Sequence, residues 1–274
     1  MLAPERAEKL NAICSTYDIN TIIEDEPRFR IRACLETNRI YLPIAAMEYV
    51  WTRCLQFWVV TQEYRKAQHR GRKQLNLDGN ERLRKASQVV TWSAGNLQQS
   101  GHEPWPSKLP RPRRRPKGED SLVANELFLG AMGWIILHEV GHITLQHAEL
   151  AGSYSQEQER AADLFATRWV LDGIDQVDPR FNKRLLCISA ALLCLQSFET
   201  LAAPRWNSTH PPAHERMSYC LDKYRSIKTE KVIAFVVVSL QLLFTNTRVS
   251  ANIEGLSFDE ILDDLFFSIT RQNC

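Results

Sequence analysis

The run HEVGH at residues 138–142 combines residue types and a spacing that suit metal chemistry. On a helix, His138 and His142 are one turn apart and project from the same face, so two imidazoles can bind one Zn²⁺. Glu139 is next to the first histidine and can take the proton of a water polarised by the metal. The apolar run at 130–137 predicts a buried helix, in which charged ligands need a metal or partners to offset lost hydration. The pattern therefore predicts a zinc site with Glu139 as its general base.

A catalytic zinc site also needs a third protein ligand and an open fourth position. The candidate lies in the next predicted helix, where Glu159 and Asp163 share one face at spacing i, i+4. Ala161 and Ala162 keep this helix slim enough to pack against the helix of the two histidines. We expect Glu159 to be the third ligand and Asp163 to accept the remaining N–H of a ligand histidine. Glu157 is the competing ligand, but it lies off the face that Glu159 and Asp163 share.

Three segments taken in order resemble a known group of proteases. The order is HEVGH, then ExxAD at 159–163, then STHPP at 208–212, followed by Arg216. This order resembles the gluzincin metallopeptidases, particularly the family of HtpX and the CAAX prenyl proteases. The resemblance covers about residues 121–220 and implies a zincin-like helical core with zinc endopeptidase activity. HtpX-type proteases are commonly anchored by membrane helices, whereas the longest apolar run here, about 232–244, is shorter than the ~20 residues of a spanning helix.

His210 is the candidate for a second catalytic role. Pro211 and Pro212 fix the backbone where a helix starts, so His210 can point into a cleft with little loss of entropy. Zincin sites commonly add one hydrogen-bond donor that stabilises the negative charge on the carbonyl oxygen, and the resemblance implies this placement for His210. It also implies that Arg216 anchors the segment through an acid such as Asp163. The alternative is that His210 caps the helix or packs on the surface, as lone histidines often do.

A soluble HExxH protease of this size is also similar to the Lit phage-exclusion peptidases, which act on a translation factor during infection. This resemblance rests on size, solubility and the context of the HExxH run, and it implies a link to stress or phage defence. His147, five residues after His142, does not have the spacing of a third metzincin ligand. We expect it on the surface or behind a ligand.

The charge of the chain is unevenly distributed. The 34 basic and 32 acidic residues give a net charge of +2, so bulk charge does not select nucleic acid or membrane as a partner. Residues 1–120 carry 21 basic and 14 acidic side chains, a net of +7, and residues 121–274 carry 13 and 18, a net of −5. The difference favours mutual docking or an acidic partner. Seven cysteines form no CxxC pair and no signal-peptide run follows Met1, which indicates reduced thiols in a cytoplasmic protein.

A basic, proline-rich stretch at 95–120 separates two regions of different character. Its six basic residues are Lys108, Arg111, Arg113, Arg114, Arg115 and Lys117. Prolines interrupt the run, so it does not form a regular helix. The commoner interpretation is a solvated linker or lid. The alternative is a docking patch for an activating acidic partner or for nucleic acid, although no aromatic interleaving supports nucleic acid.

Helical periodicity dominates the rest of the sequence and predicts a mainly α fold, α+β in class. Predicted helices begin at about residue 3 and cover about 45–67, 122–147, 156–171, 183–202, 212–224, 231–243 and 257–269. A small sheet is expected from the extended stretches before residue 121, such as 31–42, or from 91–93. We divide the chain into a helical N-terminal region (1–94), the linker or lid (95–120) and a catalytic region (121–274).

Three functions compete on this evidence. The first is a zinc endopeptidase that acts on a protein or peptide substrate. The second is a regulatory or binding module with a structural zinc, against which the intact Glu139 speaks because a structural site needs no general base. The third is a basic adaptor that binds nucleic acid through residues 108–117, with a steep salt dependence as its signature.

Overall fold

The computed structural model describes residues 2–72, 75–77, 80–98, 102–116, 118–147, 155–202, 210–244 and 256–272. Within these residues the chain forms nine α-helices and three strands. The helices are α1 (Ala7–Thr16), α2 (Ile44–His69), α3 (Glu81–Asn96), α4 (Glu119–Thr144), α5 (Gln156–Leu171), α6 (Pro179–Ala202), α7 (Ala213–Leu221), α8 (Glu230–Leu243) and α9 (Phe258–Gln272). The strands are β1 (Asn20–Glu24), β2 (Arg32–Cys34) and β3 (Arg39–Pro43). The prediction of a mainly α fold with a small sheet is confirmed.

Side-chain caps define where several helices begin. The Ser155 hydroxyl accepts a hydrogen bond from Gln158 N, and the Gln158 side chain accepts from Ser155 N, which completes a capping box at α5. Ser257 and Glu260 form a second capping box, at the start of α9. The Asn80 side chain caps α3 by accepting from Arg82 N at 2.9 Å. The cap at α5 matters most, because it fixes the helix start one turn before Glu159.

Helix α4 lies at the centre of the fold. It packs against α2, α5 and α6, and the largest hydrophobic cluster joins residues of all four helices with α8. Trp134 of α4 is almost completely buried and donates a hydrogen bond from Nε1 to Thr167 of α5 at 3.1 Å. The same core takes in Val50 of the N-terminal region, so the two long regions of the sequence pack together.

Small residues bring α4 and α5 unusually close where the HEVGH run lies. A Cβ atom placed on Gly141 would be 3.2 Å from the Cα of Ala162 and 3.2 Å from the ring of Phe165. These distances are tighter than ordinary van der Waals contact, so only a glycine is accommodated there without a shift of the neighbouring helix. Gly141 and Ala162 therefore set the spacing across which ligands from the two helices meet.

The sheet is small and lies beside α4. Its strand order is β1-β3-β2, with β1 parallel to β3 and β2 antiparallel to β3. Ala33 of β2 pairs with Ile40 of β3, and both side chains are buried. β2 is an outer strand of this sheet and contacts α4, which places its backbone next to the HEVGH run.

Of the two sources considered for the sheet, the extended stretches before residue 121 were right and residues 91–93 were wrong. Residues 91–93 are helical, within α3, because the buried Leu83, Ala86 and Val89 pack against α2 as a helix face. Besides β2 and β3, which overlap the extended stretch expected at 31–42, the sheet includes β1, a segment that was not predicted as a strand. Helices α4 and α6 are long and apolar enough to cross a membrane by length and composition alone, but 50% and 61% of their most apolar windows are buried in the fold.

Candidate metal centre

Two helices bring the three predicted ligands together. His138 and His142 come from α4 and Glu159 from α5, and all three side chains are buried. The two histidine Nε2 atoms are 3.1 Å apart. Glu159 Oε2 lies 3.3 Å from His138 Nε2, and Glu159 Oε1 lies 3.5 Å from His142 Nε2. Glu157, the competing ligand, is exposed.

The donor set and its geometry suit zinc. Two imidazoles and a carboxylate form a common ligand set of catalytic zinc, and tetrahedral bonds of about 2.0–2.1 Å separate ligand atoms by roughly 3.3–3.4 Å. The three observed separations lie around that value. Both oxygens of the fully buried Glu159 also lack a hydrogen bond of acceptable angle from any described residue. A buried carboxylate in this state is costly unless a cation compensates it, so the residues present fit a bound zinc ion.

The charges around the ligands favour a cation. Burial opposes the ionisation of Glu159, but the imidazoles of His138 and His210 outweigh burial and hold its pKa well below the usual range. Burial likewise opposes a charge on His138, but Asp163 and Glu159 raise its pKa to about 10. The same negative field that favours a proton on this imidazole favours a metal ion in its place.

Asp163 contacts His138, the first predicted ligand, and is itself held by two side chains of α7. Its Oδ1 lies 2.9 Å from His138 Nδ1. Arg216 donates to both carboxylate oxygens, from Nε at 2.8 Å and from the terminal nitrogen at 2.6 Å, and the Tyr219 hydroxyl also donates to Oδ2. Burial alone would raise the pKa of Asp163, but Arg216 and His138 hold it well below its usual range. Arg216 therefore binds Asp163, the acid suggested as its partner from the sequence.

His142 contacts a further histidine through its other ring nitrogen, Nδ1. Its Nδ1 lies 2.9 Å from Nδ1 of the half-buried His147. Burial lowers the pKa of His147, which favours the neutral ring. His147 thus contacts a predicted ligand from the side away from Glu159, which is one of the two positions expected from the sequence.

Glu139 projects beside the ligands and is held by the sheet. Its Oε2 accepts a hydrogen bond of 2.6 Å from the backbone N–H of Ala33 in β2. Burial raises the pKa of Glu139 to about 7, against the opposing effect of the neighbouring His138. The carboxylate is therefore fixed in position by a backbone group from the N-terminal region.

A cavity of ≈ 100 Å³ opens onto the ligands. Its polar lining comes from His138, Glu139, Glu159, Glu199, His210 and Arg216. Its apolar lining comes from Phe29, Ile31, Trp134, Ile135, Leu195 and Phe198. The rings of Phe29 and Phe198 stack at 4.6 Å and form one wall. The cavity can hold a small apolar side chain next to the predicted metal.

His210 lies at the edge of this cavity, with its side chain 41% exposed and Nδ1 2.9 Å from Glu159 Oε1. Ser208 and Thr209 lie outside the described residues, and α7 begins at Ala213 with Pro212 in the N-cap position. Glu199 of α6 accepts the Ala213 N–H at 3.0 Å with both oxygens. Burial raises the pKa of Glu199 to about 7 against that hydrogen bond.

The sequence missed three groups that take part in this arrangement. They are the backbone of Ala33, the hydroxyl of Tyr219 and the carboxylate of Glu199. No local spacing indicates that Ala33 or Glu199 lies beside the HEVGH run. Tyr219 was within reach of sequence reasoning, because it follows Arg216 at spacing i, i+3 and so shares its helix face.

Comparison with known proteins now decides the family. The sequence pattern of the Peptidase U49 family matches residues 40–236, which span β3 to α8 and include every residue predicted to act at the centre. The chain belongs to the Peptidase U49 family. It is also 38% identical over 275 residues to a protein of Escherichia coli (strain K12) named cell death peptidase, an alignment that covers 98% of this chain and 93% of that relative. No solved structure is significantly similar to the chain.

Membership of the Peptidase U49 family makes the chain a peptidase, as the HEVGH run predicted. Of the two resemblances drawn from the sequence, the one to the Lit-type peptidases agrees with this family and with the relative from Escherichia coli. The resemblance to HtpX and the CAAX prenyl proteases stays a prediction from the motifs.

Proposed function

We propose that this Peptidase U49 member is a zinc-dependent endopeptidase that cleaves an intracellular protein substrate. The observation that carries the proposal is the convergence of His138, His142 and Glu159 beside a cavity into which Glu139 also projects. When bound, zinc supplies Lewis-acid chemistry, polarising a water and the scissile carbonyl. The remaining steps depend on side chains of this chain.

Glu139 is the proposed general base. It lies next to a ligand in sequence and lines the cavity, and the Ala33 N–H fixes one of its oxygens. Its carboxylate accepts the proton of the attacking water and can pass it to the leaving amine. Because the carboxylate is already held in place, little reorganisation is needed when the substrate enters.

His210 is the proposed donor to the carbonyl oxygen. Negative charge develops on that oxygen as water attacks, and a donor fixed nearby lowers the barrier. His210 lines the cavity on the side of Glu159, and Glu199 anchors the start of α7 three residues later. The motif resemblance to HtpX-type proteases supports the same role.

The cavity favours catalysis over a structural zinc. Structural zinc sites are closed by four protein ligands, whereas the three ligands here adjoin a cavity with an apolar wall. Phe29, Ile31 and Phe198 can exclude water and bind a substrate side chain beside the scissile bond. A module that bound zinc only for stability would have no use for Glu139.

The proposal extends to control and location. The relative from Escherichia coli is named a cell death peptidase, and such an activity must be kept low until it is needed. We infer that this chain is a cytoplasmic protease with low basal activity, released by an infection- or stress-linked signal. The substrate is then one protein or a few, rather than unfolded protein in general.

The decisive test replaces the base and the ligands separately. Glu139→Gln should keep about one zinc per chain and the wild-type fold but lose activity by ~10²–10⁴, because the amide cannot accept the proton. The double variant His138→Ala, His142→Ala should lose both zinc and activity. Metal analysis and circular dichroism are measured on the same preparations as activity. Full zinc in the double variant, or activity of Glu139→Gln within about threefold of wild type, would refute the mechanism.

The substrate can be identified with the same pair of proteins. Cells that express wild-type protein should contain new protein N-termini that are missing from cells expressing Glu139→Gln. Termini shared by both would come from other proteases. A large and unspecific set of new termini would contradict the expectation of a selective enzyme.

A further inference from the structure

We propose that Lys108, Arg111, Arg113, Arg114 and Arg115 form a docking surface for an acidic segment of the protein substrate, remote from the metal centre. These five residues are called the basic surface below. The proposal rests on the proposed function only in taking the bound protein to be the substrate.

The basic surface consists of exposed cations that form no ion pair within the described part of the chain. All five side chains are exposed, and none forms an ion pair with a carboxylate of the described residues. The sequence between Glu103 and Glu119 contains no acidic residue. The neighbouring Arg82, by contrast, is bound to Glu63 at 2.5 Å and to Asp120. The positive charge at 108–115 is therefore available to an external anion.

The backbone under these side chains is firmly anchored. The Trp105 ring packs against Trp92 at 4.4 Å and against Trp51 at 5.6 Å, and its Nε1 donates to Pro110 O at 3.0 Å. The Asn125 amide of α4 donates to Arg113 O at 2.8 Å. Prolines restrict the backbone further. Arginines that project from a fixed backbone lose less entropy on binding than those on a flexible linker.

The position of the basic surface suits a protein rather than a short peptide. Asn125 and His138 are separated by thirteen residues of α4, about 20 Å at 1.5 Å per residue. The described part of the segment thus lies at the N-terminal end of α4 and does not cover the cavity. An extended substrate chain needs about six residues to span that distance, so only a substrate longer than the cleaved site can occupy both places. The geometry supports a docking surface more than a lid.

Carboxylates of a protein are the anions that this surface fits best. Arginine guanidinium groups bind carboxylates through paired hydrogen bonds, and several of them can engage one acidic segment. Single-stranded nucleic acid is bound largely by stacking on exposed aromatic rings. The described segment 102–116 contains no phenylalanine or tyrosine, and its one tryptophan, Trp105, is already packed against two other tryptophans.

Binding can be tested without any cleavage. The probe is a fluorescent peptide of about fifteen residues rich in Glu, and binding is followed by anisotropy against the full-length Glu139→Gln protein. The test variant adds Arg113→Gln, Arg114→Gln and Arg115→Gln. The matched control adds Arg70→Gln, Arg72→Gln and Lys231→Gln, three exposed cations elsewhere, so that net charge changes equally.

We expect the test variant to weaken binding at least tenfold and the control variant less than twofold, with affinity falling as salt increases. An equal loss in both variants, or no saturable binding to the parent protein in 50 mM salt, would overturn the proposal. So would tighter binding of a single-stranded oligonucleotide or an anionic phosphatidylserine vesicle than of the peptide. Because cleavage is not measured, failure here would leave the proposed peptidase chemistry standing, and loss of that chemistry would not affect this result.

Discussion

At the metal centre, Asp163 and Arg216 are buried and bonded to each other, whereas the cations of the basic surface face solvent without an ionic partner among the described residues. Both regions contain arginine, yet the residue acts differently in each. In the first, a fixed guanidinium holds an acid that orients a ligand. In the second, exposed guanidinium groups produce a positive electrostatic potential and can adjust their contacts to a partner. Burial therefore separates charges that determine geometry from charges that attract a partner.

An arginine-to-glutamine substitution made in each region should show most clearly how the two regions differ. Arg216→Gln leaves Asp163 buried without its cation, and we expect it to lower the free energy of unfolding by about 3–5 kcal/mol. Urea unfolding followed by circular dichroism measures the loss. Adding Asp163→Asn should recover part of it, since the uncompensated charge is then gone. A loss below 1 kcal/mol for Arg216→Gln alone would show that the pair is not effectively buried.

His210 tests whether a side chain at the edge of the cavity acts in the reaction. His210→Ala should lower kcat by roughly 10²-fold while zinc content and KM change little. His102→Ala, which removes an exposed histidine paired with Glu48, is the matched control and should leave kcat unchanged. If His210→Ala instead loses zinc or stability with kcat per zinc intact, its role is structural.

Tyr219 tests the second support of Asp163. Tyr219→Phe removes one hydrogen bond to this acid and should weaken zinc binding roughly tenfold, the lower end of the effect expected for groups that orient a ligand. Competition with a chelator measures the affinity independently of activity. Tyr64→Phe in α2, far from the ligands, should leave it unchanged. Unchanged affinity in Tyr219→Phe would mean that Arg216 alone is sufficient.

The smallest effect is expected on the basic surface. Arg114→Gln should change the free energy of unfolding by no more than about 0.5 kcal/mol, because an exposed side chain without an ionic partner contributes little to folding. The urea measurement used for Arg216→Gln provides the direct contrast. Destabilisation beyond 1 kcal/mol would show that Arg114 has a structural role after all.

Sequence reasoning predicted which residues lie together where their proximity depends on spacing within a helix. The positions of His138, His142, Glu159 and Asp163 follow from the 3.6-residue period, and the structure brings all four together. It failed where tertiary contacts decide. Residues 91–93 were considered as one source of the sheet, but burial of Leu83 and Val89 against α2 stabilises a helix there. The contact between β2 and Glu139 spans more than a hundred residues and leaves no local pattern.

That contact has a consequence for how the enzyme can vary and how it can be studied. The donor to Glu139 is a peptide N–H, and nineteen of the twenty amino acids supply one at position 33. An alanine scan of β2 would therefore miss this donor, and homologues could diverge in sequence there without losing it. Only proline at 33, a backbone ester or loss of the strand would remove it.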